Sequence, residues 1–126
     1  MPSEVIITRT ARIWLRDDGI LQSVNLPNAR ETLEDAQANV AAEARLSPTP
    51  RWLMLADIRA MQSIDRAARA YYSSVQSSVV ALALLVESPV SQVIANFFMG
   101  LNKVPVPTRL FTSEAEAVTW LGKFIE

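Results

Sequence analysis

Arg51-Trp52-Leu53-Met54-Leu55-Ala56-Asp57 leaves a proline-rich break, runs through five consecutive apolar residues and stops on a carboxylate. A strand wetted on one side alternates apolar and polar residues, whereas a strand covered on both faces is apolar almost continuously, so this stretch predicts a buried strand of a parallel sheet. Val79 to Val86 repeats the pattern, and Thr108-Arg109-Leu110-Phe111 is a shorter third copy. Ile64, Ala67, Ala68, Tyr71, Tyr72 and Val75 recur at helical spacing between the first two, as do Val90, Val93, Ile94, Phe97, Phe98 and Leu101 between the second and third. Strand alternating with helix is the pattern of crossover connections and an α/β sheet.

Upstream, Ala11 to Arg16 and Ile20 to Val24 flank Asp17-Asp18-Gly19, where glycine supplies the positive φ of a tight hairpin. Asn28 with Glu31 three residues on resembles a capping box, and Leu33, Ala36, Val40 and Ala44 follow at helical spacing. Ser88-Pro89 and Ser113 with Glu116 open two later helices. Gly100 or Asn102 ends the third, ahead of Pro105 and Pro107, and Val118, Leu121, Phe124 and Ile125 form the inner face of the last. The expected order is β-β-α-β-α-β-α-β-α, with strands near 11–16, 20–25, 52–57, 79–86 and 108–112 and helices near 29–46, 64–77, 89–101 and 114–125. The sheet is expected to be five-stranded and mainly parallel. If the crossover helices lie on one face, the other face of strands 52–57 and 79–86 needs a cover, either the N-terminal hairpin and one helix of the same chain or a symmetric partner, and a homodimer is the expected one by a small margin.

The 126 residues, half of them hydrophobic and a fifth charged, suffice for one domain with its own core. There is no cysteine and no histidine, which removes thiolate nucleophiles, Ser-His-Asp triads and the usual zinc and haem ligands. Three glycines leave no phosphate-cradling loop. A formal charge of -1 and scattered basic residues give no field for nucleic acid. The longest apolar run is far short of the roughly 20 residues that span a bilayer, and Met1-Pro2-Ser3-Glu4 has no secretory pattern. A cytoplasmic protein without cofactor or metal, and without membrane or nucleic-acid partners, is expected.

Polar residues collect where strands hand over to helices, the usual place for ligands in such sheets. Asp57, Arg59, Ser63, Asp65, Arg66 and Arg69 cluster along the chain after the first buried strand. Plainer accounts exist for each. Ser63, Ser88 and Ser113 read as helix caps, Asp65 as a favourable charge in a first turn, and Asp57 as a loop anchor paired with Arg59. Arg66 and Arg69, three apart on a helix, form with Arg59 a candidate anion or partner site beside Met61.

Leu55-Ala56-Asp57-Ile58-Arg59-Ala60-Met61-Gln62-Ser63-Ile64-Asp65-Arg66-Ala67-Ala68, within this element order, resembles the STAS domain, the SpoIIAA-like family of anti-sigma-factor antagonists. Asp57 and Asp65 match the family's two aspartates without a gap. Arg66 stands at the phosphoacceptor serine, and Ala67-Ala68 replaces the small Ser-Gly pair. The resemblance implies a non-enzymatic interaction module whose helix start meets an anti-sigma factor or a kinase-like partner. In this chain the phosphate switch would be missing, since arginine is no acceptor for a serine kinase. The alternative within the same fold is a small-molecule or lipid-binding domain, which an apolar cavity lined by Tyr71, Tyr72 and Phe97 would favour. An exposed patch at Arg59, Met61 and Arg66 over a closely packed core would favour interaction.

Overall fold

The computed structural model describes residues 4–75, 78–101 and 106–125, and the side chains of all these except 97–101. The expected inward faces of Phe97, Phe98 and Leu101, and the roles of Asn102 and Pro105, lie outside that description. The chain runs β1 (Val5–Ile7), β2 (Ala11–Leu15), β3 (Ile20–Asn25), β4 (Ala29–Glu31), α1 (Leu33–Leu46), β5 (Trp52–Asp57), β6 (Met61–Ile64), α2 (Arg66–Ser74), β7 (Val79–Leu85), α3 (Pro89–Leu101), β8 (Thr108–Phe111) and α4 (Glu114–Gly122). The fold is α/β as expected, but the main sheet has six strands in the order β1-β2-β3-β5-β7-β8 and is mixed. Two pairings, at β1-β2 and β2-β3, are antiparallel and three are parallel. A second, two-stranded parallel sheet joins β4 to β6.

The β2-β3 turn follows from Asp17-Asp18-Gly19. Gly19 sits at φ 86°, its N–H closes a turn on Arg16, and the Asp18 carboxylate accepts from the Ile20 N–H. Two helix starts differ from expectation. Asn28 takes φ 61° and leads into β4, so α1 begins after Thr32, where the Asp35 carboxylate accepts from the Thr32 N–H and hydroxyl. Two capping-box patterns overlap here, and the second wins because the Glu31 side chain turns inward. The buried face of α1 is accordingly Asp35, Ala36, Asn39, Ala42 and Glu43, while Leu33 and Ala44 face out. Likewise Ser63 is not a cap: it lies in β6, and Asp65 caps α2 by accepting from the Ala68 N–H. The other starts follow the sequence, with Ser88 Oγ accepting from the Ser91 N–H and Ser113 Oγ from the Glu116 N–H.

The strands β5 and β7 are apolar on both faces because both are covered within one chain. Trp52, Met54, Leu82, Leu84 and Val86 face α1, β6 and α3, whereas Leu53, Leu55, Ala81, Ala83 and Leu85 face α4. Ala81 and Ala83 leave room for Ala117 and Leu121 of α4, with Phe111, Val118, Trp120 and Phe124 closing the margin. The packing reason for expecting a partner subunit is thus met by α4. That helix stops at Gly122, which leaves Ile125 exposed instead of facing inward, and on α3 Val90 and Val93 are exposed as well. Buried Gln22 ties the α4 start to the hairpin by donating to Glu114, and Arg16 contacts both residues.

Leu121 is fully buried at the centre of the α4 contact. Leu121→Ala should lower unfolding free energy by about 2–5 kcal/mol, as cavity-forming core substitutions do, read by urea denaturation. A loss under about 1 kcal/mol would mean that α4 is not what seals this face.

Candidate functional site

α2 packs against α1, and α3 packs against β6. An uncollapsed space of about 120 Å³ remains between the helices and the sheet. Trp52, Met54, Leu82 and Leu84 form its floor, Val40 and Glu43 of α1 one wall, Tyr72 and Val75 of α2 another, and Met61, Ile64, Ile94 and Ala95 a third, with Ser23, Asn25, Glu31 and Asn39 among the remaining lining residues. Most of this surface is apolar, with the polar groups gathered toward Glu31 and Glu43.

The Glu31 end is a closed hydrogen-bond network. Glu31 is 3% exposed; its Oε2 accepts from Thr10 Oγ1 at 3.0 Å, Asn25 Nδ2 at 3.1 Å and Asn39 Nδ2 at 3.0 Å, and its Oε1 accepts from the Tyr72 hydroxyl at 2.7 Å. Asn39 is itself held by the Thr8 hydroxyl, which donates to its Oδ1 at 2.6 Å. Burial, reinforced by the neighbouring Glu31 charge, pushes the Tyr72 hydroxyl well above its ordinary range, so it remains a donor. Nearby, Arg9 grips Asp35 through both carboxylate oxygens. The Arg9 hydrogen bond is the main reason that Asp35 is held down to about 2.

Glu43 is different. It is 7% exposed and its carboxyl accepts no hydrogen bond of good geometry among the described residues. Burial pushes it up to about 8; the Trp52 indole N–H opposes the shift and the Glu31 charge adds to it. That indole nitrogen lies close enough to influence the carboxyl but does not meet it as a hydrogen bond. Trp52 Nε1 is the one buried side-chain polar atom left without a partner among the described residues.

Of the residues singled out in the sequence as a candidate anion or partner site, Met61 alone lines this space. Asp57 anchors its loop: its carboxylate accepts from the Arg59 backbone N–H at 3.1 Å and from the Arg59 guanidinium at 2.9 and 2.7 Å. Met61 is buried at 5% exposure and lines the cavity, so it is no part of an exposed patch; β6 turns it inward. The same strand places about 10 Å of extended backbone between the Arg59 loop and the helix that carries Arg66 and Arg69. Ser63 is partly buried in β6, whereas Asp65 and Arg66 are exposed at the α2 start. Of the three aromatic residues proposed to line a cavity, Tyr72 does so, Tyr71 does not, and the Phe97 side chain lies outside the described residues. Glu31, Asn39 and Glu43 were not foreseen. The signal for Asn39 and Glu43 was a row of polar residues four apart, Asp35, Asn39 and Glu43, on what becomes the inner stripe of α1, whereas Glu31 precedes the helix in β4.

The pattern of a family described as "Domain of unknown function (DUF7793)" matches residues 13–125. A crystal structure of an uncharacterized DUF3478-family protein with a SpoIIAA-like fold, from Shewanella loihica PV-4, has a TM-score of 0.57 at 18% identity, covering 95% of this chain and 92% of that one. The fold is therefore SpoIIAA-like. A protein with unknown function from Arthrobacter sp. FB24 is 34% identical over 94% of this chain and 97% of that one, with a TM-score of 0.33. No curated protein matches the chain.

The raised Glu43 sets a pH dependence. An unfolded chain releases this proton near pH 4.5, so from there to about 8 the native state holds one proton more, and stability falls as pH rises through that window. Glu43→Gln should remove the fall, its advantage over the parent growing between pH 5 and pH 8 to a few kcal/mol, on the order of the shift. A pH-independent difference in melting would show that Glu43 titrates as an ordinary carboxylate.

Proposed function

Because the chain belongs to the DUF7793 family of domains, whose name carries no activity, we propose its function from the geometry: a non-catalytic module that binds one small, largely apolar molecule between its sheet and helices α1 to α3. The cavity of about 120 Å³ is the observation that carries this reading. Cores normally close to the density of organic crystals, and a largely apolar space of this order accepts a molecule of about benzene size. The SpoIIAA-like fold supports a binding role. Glu31, the polar residue best placed for acid–base work, is bound on both oxygens by fixed donors and acts as a tether.

Benzene is the simplest probe. It should bind saturably, one molecule per chain, raising the melting temperature and shifting the methyl resonances of Met54 and Ile94, both cavity-lining. Ile94→Phe, which fills the space, should abolish the shift while the variant stays folded by circular dichroism. Absence of saturable binding to the parent would remove this reading.

A second reading, recognition of a partner protein at the α2 start, is favoured by Arg66. Arg66 is exposed at the first position of α2, where a cation opposes the helix dipole and only the capping Asp65 carboxylate beside it offsets that cost, so stability alone gives weak reason for an arginine there. The resemblance to SpoIIAA-like domains implies partner contact at this position, with arginine standing where the phosphoacceptor serine would be. An anti-sigma factor or kinase-like protein is the kind of partner implied. Arg66→Glu should abolish capture of such a partner and alter stability by no more than about 0.5 kcal/mol. Partner binding that survives the charge reversal would count against the site.

A further inference from the structure

Besides the partly buried Ser23 hydroxyl, two polar groups of the cavity remain uncommitted once the Glu31 network is complete. Trp52 is 6% exposed on the cavity floor and its Nε1–H meets no acceptor in good geometry, the nearby Glu43 carboxyl included. Glu43, on the α1 wall, carries no hydrogen bond of good geometry among the described residues. Glu31 by contrast already accepts from three donors on Oε2 and from Tyr72 on Oε1. A buried donor without an acceptor destabilises the empty protein, and any molecule that brings an oxygen to it recovers that loss on binding.

The charges point the same way. Among the described residues no lysine or arginine lines the cavity, while two acids do. An anionic head group would enter an apolar space beside like charge with no counterion, which is strongly unfavourable. With its proton retained to about pH 8, Glu43 is a neutral acid at neutral pH, able to donate to the same oxygen but not to serve as counterion to an ammonium group, and the Glu31 carboxylate is already matched by four donors.

Resting on the cavity as a ligand site, we propose that it selects an uncharged molecule with an apolar body of about benzene size and a single hydroxyl or carbonyl oxygen, held by the Trp52 indole N–H with Glu43 as the second contact. Specificity thus lies in one buried donor and one neutral acid, and the apolar walls supply affinity without discrimination. A site built to hydrogen-bond a head group rejects analogues that leave its buried groups unpaired far more sharply than apolar walls reject a change of size.

The test is a titration of the ¹⁵N-labelled chain at pH 7 with 1-hexanol, hexanoate, hexylamine and hexane, following the indole N–H resonances. Trp52→Phe identifies the Trp52 signal. 1-Hexanol should move that signal downfield saturably and bind at least tenfold more tightly than hexanoate or hexylamine, and Trp52→Phe should weaken 1-hexanol about tenfold. Equal or tighter binding of either charged probe would overturn the proposal, as would 1-hexanol binding that leaves the Trp52 indole unmoved. If Trp52→Phe does not fold, the ranking of the probes on the parent chain decides. Hexane and 1-hexanol binding alike would defeat the head-group assignment and leave the cavity reading standing. If none of the four binds, the cavity reading falls with it.

Discussion

A carboxylate has been taken out of water at Glu31, and much of the helical layer is arranged around satisfying it. Burying such a charge costs several kcal/mol unless donors replace its hydration. The donors come from the start of β2, the end of β3, the inner face of α1 and the inner face of α2. Each of those elements is therefore fixed relative to β4, which carries the carboxylate. Through Tyr72, α2 is tied beside α1 and β4-β6, so it cannot drop onto the sheet to close the space below. The cavity is thus a by-product of a polar tether, and its apolar walls stay open because hydrogen bonds at one end hold the roof.

Sequence patterning revealed the elements long enough to show a period. The runs at Trp52 to Ala56 and Val79 to Val86, the hairpin around Gly19 and the caps at Ser88 and Ser113 all appear where their residues imply. What it did not reveal was short or non-local. β1, β4 and β6 have three or four residues each, too few for alternation to stand out. Asn28/Glu31 and Thr32/Asp35 offered competing helix starts, and the choice rests on where Glu31 finds its donors, a fact that exists only in three dimensions.

The site was less legible than the fold for the same reason. Its polar network draws on residues from Thr10 to Tyr72, which no local window brings together, and its cavity is a failure of packing that has no signature in composition. The cluster that did stand out, from Asp57 to Arg69, is contiguous in the chain but divided in space. β6 inserts itself between the Asp57–Arg59 pair and the α2 start, and turns Met61 away from the surface.

The placement of α4 bears on how the protein is made. Every strand of the sheet precedes it in the chain, yet it alone covers the apolar face formed by Leu53, Leu55, Ala81, Ala83 and Leu85. During synthesis, at about 5–20 residues per second, β5 and β7 leave the ribosome with that face bare, and it stays bare until residues 114–122 have followed. A nascent chain stalled before that point presents two adjacent, almost wholly apolar parallel strands, the surface on which holdase chaperones and neighbouring nascent chains compete. Here the covering of one face of the sheet waits on a helix that follows all of its strands.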